Sequence, residues 1–268
     1  MLEYNGIQVE LTNACNLKCV ECPHRFMSRS VLSMSEDIFD RVLNEFVVGK
    51  KIQYMTLHKD GEPLLHSKLK HFISKICSVS DCNIDIYTNG LLITENFLGF
   101  LSEAKNKSRL LISFHFYNYD GSKNDYTKLT RLLKNVLQTP MPKIEFIVTT
   151  HVTKLVSKKE LNDWKMFWTA FKSSNPITGI HVNKDINPWA GKIADGNTIY
   201  TSCAERGNAL FIGNTGNVLA CCTDLDEEII FGNIMTDSIP EIMNLREIFY
   251  EDVKSHIFNH PICQRCVK

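Results

Sequence analysis

The 268-residue sequence has no apolar run approaching the ~18–20 residues that a membrane-spanning helix needs, which excludes an integral helical membrane protein. It has no charge of one sign to spare. Its 30 basic and 30 acidic residues cancel, so the chain lacks the field that gathers nucleic acid. The start, Met1 to Asn13, reads as a strand with acidic residues and lacks the basic-then-apolar order of a secretory signal. A reducing cytoplasm is the expected compartment. Internal repeats and low-complexity tracts are missing as well. What remains is ordinary: 44% hydrophobic and 22% charged residues suit a globular chain that buries a real core. At roughly 150 residues per domain, the length admits two domains, or a barrel-like domain with a small appendage.

Cysteine is the anomaly. The chain has ten. A chain this long needs no staples, so a disulfide framework explains them poorly. In a reducing compartment, clustered cysteines are more often metal ligands or redox centres. Cys15, Cys19 and Cys22 form one group; Cys203, Cys221, Cys222, Cys263 and Cys266 form another. Cys77 and Cys82 stand apart and read as structural.

The first two-thirds alternates strand and helix signals. Strands are expected at Ile7–Leu11, Tyr54–Leu57, Asn83–Thr88, Leu110–Phe116, Ile144–Thr149 and Ile180–Asn183. Helices are expected at Ser35–Val48 with Ser33 as cap, Leu69–Val79, Thr94–Ala104, Asp125–Leu137 and Ser157–Phe171. Such a β/α series forms a parallel sheet with right-handed crossovers. Six units are too few to close a barrel of eight strands. The expected fold is therefore α/β, a partial (β/α)6 TIM-like barrel over residues 1–186, with functional loops at the carboxyl ends of its strands. A linker follows at Asn187–Gly191 and Asp195–Asn197. Residues 187–268 then read as a small β-hairpin-plus-helix auxiliary domain. Its hairpin strands are Ala209–Ile212 and Val218–Cys221, and its helix runs from Pro240 to about Phe258.

Cys15-x3-Cys19-x2-Cys22 falls just after the first strand, where a parallel fold places its chemistry. Three thiolates hold three irons of a four-iron cluster and leave the fourth open to a chelating small molecule. Zinc held by the trio plus His24 would be a Cys3His alternative. With Asp60-Gly61-Glu62-Pro63 after the second strand and Tyr87-Thr88-Asn89-Gly90 ending the third, the sequence resembles the radical S-adenosylmethionine (radical SAM) superfamily. The resemblance implies that Glu62, within Gly61-Glu62-Pro63, meets the methionine amino group of S-adenosylmethionine. Asp60 stands where the superfamily usually has glycine. The resemblance also makes Val20 an apolar wall for adenine, sets Asn89 on the cofactor side, and places Ser113 at the ribose or carboxylate. His24, Arg25, Arg29, His58, Lys59, His115 and Tyr117 are further polar candidates near these segments, each as readily structural or solvent-facing.

Cys203, Gly216-x4-Cys221 and Cys263-x2-Cys266 supply four thiolates around the hairpin and helix. Four thiolates close a second four-iron cluster, or a zinc ribbon. This stretch resembles a shortened SPASM or "twitch" auxiliary domain, with one extra cluster near the substrate. The resemblance implies two [4Fe-4S] clusters, S-adenosyl-L-methionine as cofactor, and a flavodoxin- or ferredoxin-like electron donor. It implies a small-molecule or peptide substrate, with no nucleic acid and no membrane. The expected reaction is a dehydrogenase-like oxidation of a polar small molecule, assisted by the auxiliary cluster. Cys222 and Asp224 are catalytic candidates: a thiol that returns hydrogen to a substrate radical, and a base or substrate contact. Through Cys222 the alternative is a peptide-modifying enzyme or epimerase. No amino-terminal peptide-recognition domain is expected, because the first strand begins by Ile7. A non-catalytic zinc or iron–sulfur scaffold is the alternative from another class.

Overall fold

The computed structural model describes residues 4–136, 141–174, 177–183, 189, 192 and 203–266. Six parallel strands come first: β1 (Gly6–Val9), β2 (Tyr54–Thr56), β3 (Asn83–Thr88), β4 (Ser108–Phe114), β5 (Ile144–His151) and β6 (Ile177–Asn183). They are interleaved with α1 (Glu36–Phe46), α2 (Leu69–Val79), α3 (Glu95–Glu103), α4 (Thr127–Val136) and α5 (Lys158–Ser174). Strands adjacent in sequence are adjacent in space, in the order β6-β5-β4-β3-β2-β1. This is the partial barrel.

The carboxyl-terminal part holds β7 (Ala209–Ile212), β8 (Asn217–Leu219), β9 (Ile230–Asn233), α6 (Ile239–Lys254) and α7 (Pro261–Cys266). Its hairpin is not detached from the barrel. β7 runs parallel to β1, with Ile7 opposite Leu210, so one nine-stranded sheet spans both parts. β8 and β9 extend that edge antiparallel. The expected linker at 187–197 lies outside the described residues except for Trp189 and Lys192.

Alternation along the strands sorts core from cavity. On β4, Leu110, Ile112 and Phe114 are buried under the helices, whereas Leu111 and Ser113 turn to the other face. α1 and α2 present apolar stripes that meet through Phe39 stacked on Phe72, with ring centroids 4.0 Å apart. Helix starts follow local chemistry. Thr94 accepts from the Phe97 amide, as expected of a cap. α1 is capped by Ser35, whose hydroxyl accepts from the Ile38 amide, and not by Ser33. Ser33 instead donates to Thr12 and pins the chain to the end of β1. Among the described residues no helix is long and apolar enough to cross a membrane.

Candidate active site

The loop after β1 carries Cys15, Cys19 and Cys22, three free thiols lining one cavity of about 540 Å³ at the carboxyl ends of the strands. Its shape is imposed from outside. Asn13 donates to the Ser30 carbonyl and accepts from the Leu32 amide. The Val20 amide donates to Tyr117, and Tyr119 donates to Lys18. Burial holds all three thiols above the ordinary thiol range, Cys22 at about 12, and the charges of its neighbours push each further. Such thiols are deprotonated by metal capture rather than by solvent. A trio of soft donors facing a roomy cavity fits an iron–sulfur cluster with one open iron. His24 gives no fourth ligand through Nε2, which donates to the Asn13 carbonyl at 2.6 Å. Val20, expected to wall the cofactor, does not line this cavity. With its amide turned to Tyr117, the neighbouring Glu21 points inward instead.

Gly61 and Glu62 form the adjoining wall. A Cβ on Gly61 would lie 2.3 Å from the Thr12 carbonyl oxygen and 2.6 Å from that of Ala14, so only glycine lets this turn press against the cysteine loop. The Glu62 amide donates to Ala14 at 2.8 Å. The Glu62 carboxylate accepts from the Leu64 amide, the Thr88 hydroxyl and the Asn89 amide at 2.8–3.0 Å. Asn89 in turn donates to Asn16 of the cysteine loop. The loops after β1, β2 and β3 are thus one bonded unit. Pro63 opens a short 3-10 turn and stays outside the cavity lining, whereas Ser113 lines it.

The lining of this cavity is also rich in imidazole. His58, His115, His151 and His181, from the ends of β2, β4, β5 and β6, all face this cavity. Burial lowers His58 and His151 from 6.5 to about 4, so both are neutral at physiological pH. The unfolded chain binds protons at these sites below pH 6.5, and the folded one only near 4. Their contribution to stability is therefore complete above about pH 6.5 and lost as pH falls toward 4, by ~3 kcal/mol for each group. Urea unfolding at pH 7.5 and at pH 5 is expected to show about 2 kcal/mol of that loss per group, and His58→Asn to reduce it; an identical pH difference in the variant would contradict the assignment.

Cys203, Cys221, Cys263 and Cys266 surround a second, apolar pocket between β8, α6 and α7. Burial first, then the charges of Cys221, Cys266 and Cys203, push the Cys263 thiol up to about 12. Four soft donors converging in an apolar pocket fit an iron–sulfur cluster held by protein alone. Cys222 is half-buried and stays outside the lining of both pockets, yet close enough for its charge to raise Tyr87, which lines the cavity. Asp224 is fully buried. Its carboxylate accepts from the Glu228 and Ile229 amides at 2.8 Å, which makes it a staple of the loop between β8 and β9.

A buried ion cluster, which local sequence patterns do not reveal, joins the two parts. Arg29, on the segment after the cysteine loop, donates to Glu10, Asp60 and Glu227 at 2.8–3.0 Å and to the Leu225 carbonyl at 2.7 Å. Lys59 adds bonds to Asp60 and to the Asp224 carbonyl. Asp60, in place of the usual glycine, is thereby the junction between the Glu62 turn and the auxiliary loop.

Comparison with known proteins agrees with this geometry. Residues 9–152 match the radical SAM superfamily, and residues 203–267 match the SPASM iron–sulfur cluster-binding domain. The chain belongs to the radical SAM superfamily. It is a radical SAM enzyme, with iron–sulfur and S-adenosylmethionine binding in its two matched regions. Among curated relatives, it is 30% identical over 116 residues to a probable GTP 3′,8-cyclase of Methanothermobacter thermautotrophicus, over 42% of this chain and only 36% of that protein. It is 23% identical over 268 residues to the S-adenosyl-L-methionine-dependent 2-deoxy-scyllo-inosamine dehydrogenase of Niallia circulans, over 98% of this chain and 92% of that enzyme. BtrN in complex with AdoMet and 2-DOIA superposes with TM-score 0.63 at 18% identity, over 99% of this chain and 93% of that one. Streptococcus suis SuiB bound to precursor peptide SuiA gives 0.64 at 14%, over 92% and 67%. The last two are likenesses of fold.

Proposed function

We propose that the protein oxidises a secondary alcohol on a small polar molecule, using two four-iron clusters. One observation carries this reading. A single cavity is lined by the three-thiol loop and the Glu62 turn together with hydroxyl, amide and imidazole groups. Full-length similarity to a dehydrogenase supports it. In this reading residues 1–186 hold the cofactor and substrate, and residues 187–268 carry the auxiliary cluster on Cys203, Cys221, Cys263 and Cys266.

When bound, the reduced first cluster supplies the electron that splits S-adenosylmethionine into methionine and a 5′-deoxyadenosyl radical, which takes hydrogen from carbon. The chain supplies orientation. Cys15, Cys19 and Cys22 would hold the cluster. Gly61 lets backbone approach, Glu62 and Asn89 present acceptors to the methionyl end, and Ser113 offers a hydroxyl. The cavity histidines face the substrate.

Anaerobic protein with reconstituted clusters, a chemical reductant, S-adenosylmethionine and 2-deoxy-scyllo-inosamine tests this. The expected result is ketone and 5′-deoxyadenosine in about equal amounts. Cofactor cleavage with no oxidised product from this compound or related aminocyclitols would overturn the dehydrogenase reading. A second reading rests on Cys222, half-buried on the loop after β8 next to Cys221: a thiol that returns hydrogen to a substrate radical, giving epimerisation. Product of unchanged oxidation state, lost in Cys222→Ala, would favour it.

A further inference from the structure

The geometry points to His115, oriented by Glu21, as the group that binds the substrate hydroxyl and takes its proton. This inference rests on the dehydrogenase reading above and adds a residue to it.

His115 lies one residue beyond β4 and is clamped on both backbone faces. Its amide donates to the Tyr126 hydroxyl at 3.0 Å, and its carbonyl accepts from Asn124 at 2.7 Å. Its ring Nδ1 lies 2.6 Å from Glu21 Oε1. A carboxylate there selects the tautomer with the proton on Nδ1 and leaves the Nε2 lone pair available. Nε2 makes no hydrogen bond among the described residues, and the ring lines the cavity. The ring plane is held by His151, stacked at 5.7 Å between centroids and 7° between planes.

A second observation points to a ligand. The Glu21 side chain is 4% exposed, and its other oxygen, Oε2, is buried with no donor. An unmade bond on a buried acceptor costs ~1–3 kcal/mol, a cost that a bound N–H or O–H group relieves. The cavity lining therefore offers an acceptor nitrogen on His115 and, on the carboxylate that orients it, an oxygen still without a donor, which suits a substrate carrying both a hydroxyl and a further donor group.

Loss of the carbinol hydrogen atom to the 5′-deoxyadenosyl radical leaves a carbon radical bearing O–H. The O–H proton passes to His115 Nε2, and the imidazolium formed keeps its Nδ1–H on the Glu21 carboxylate. The remaining unpaired electron leaves to an oxidised iron–sulfur cluster, the one proposed on Cys203, Cys221, Cys263 and Cys266, as the C=O double bond forms. Substrate loses two electrons and two hydrogens in all.

Two measurements test the dyad. In nitrogen-15 spectra of the cluster-loaded protein, His115 should show Nδ1 protonated and Nε2 bare, and Glu21→Gln should erase that preference. This readout needs no turnover. A protonated Nε2, or a tautomer indifferent to Glu21→Gln, overturns the inference even if the dehydrogenase reading survives. With 2-deoxy-scyllo-inosamine as probe, His115→Gln should lower the ratio of ketone to 5′-deoxyadenosine about 100-fold or more, the scale of a lost general base. His115→Gln with an unchanged ratio, or with both products falling together as the KM for S-adenosylmethionine rises, would instead make His115 a cofactor contact. Wild-type protein that oxidises no alcohol probe overturns both the parent reading and the role of His115 as base.

Discussion

Replacing Cys15, Cys19 or Cys22 by alanine is expected to reduce formation of 5′-deoxyadenosine to the level of a protein-free control. Iron should fall from about eight to about four per chain. The reason is donor count. Each of these thiols lines the cavity beside the Glu62 turn, and with one removed only two remain to hold a cluster that needs three. His24 gives no replacement through Nε2, which is committed to the Asn13 carbonyl. Cys263→Ala makes the opposite split. It removes a donor from the pocket shared with Cys203, Cys221 and Cys266, so iron should again halve while cofactor cleavage continues and ketone formation stops. Iron analysis and chromatography of the nucleoside check both variants. Unimpaired cleavage in any variant of the first trio would refute the assignment.

Arg29→Ala is expected to be the most destabilising single substitution outside the apolar core. Arg29 is the shared partner of Glu10, Asp60 and Glu227, whose side chains are 0%, 1% and 6% exposed. Without it, Lys59 is the cation left beside Asp60 and Glu10, and Glu227 keeps the bond from the Asn217 side-chain amide. Removing one member of a buried ion cluster costs ~3–5 kcal/mol, and at this chain length that lowers the melting temperature by about 10 °C. Arg29→Lys should recover only part, since an ammonium cannot reach Glu10, Asp60 and Glu227 at once with fork geometry. The same guanidinium also donates to Leu225 on the auxiliary loop, so the variant should loosen the contact between barrel and auxiliary part. Calorimetry of wild type and both variants decides it. A shift under ~2 °C in Arg29→Ala would mean that water or Lys59 compensates.

How much of this was legible in the sequence differs by feature. α2 and β3 were read to their end residues, because their apolar periods are clean and Asn89-Gly90 marks a stop. β4 begins at Ser108, two residues before its apolar run; Ser108 and Arg109 join because they lie opposite Ile84 and Asp85, and Arg109 pairs with Asp85. β9 and α7 carry no strand or helix signal of their own, because each is short and depends on partners distant in sequence. The docking of β7 against β1, 203 residues apart at Gly6 and Ala209, has no local signal at all. The site divides the same way. Both cysteine sets follow from spacing. The Glu21–His115 pair joins residues 94 apart, and the Arg29 cluster joins four segments.

The most direct measurement is electron paramagnetic resonance of the reduced, cluster-loaded protein with and without S-adenosylmethionine, made on wild type and on Cys263→Ala to isolate the first cluster. Expected is a cluster signal whose shape changes on adding the cofactor, followed by 5′-deoxyadenosine. A signal indifferent to the cofactor, or protein that carries zinc on the amino-terminal thiols, would contradict the reading of Cys15, Cys19 and Cys22 as holders of an open iron.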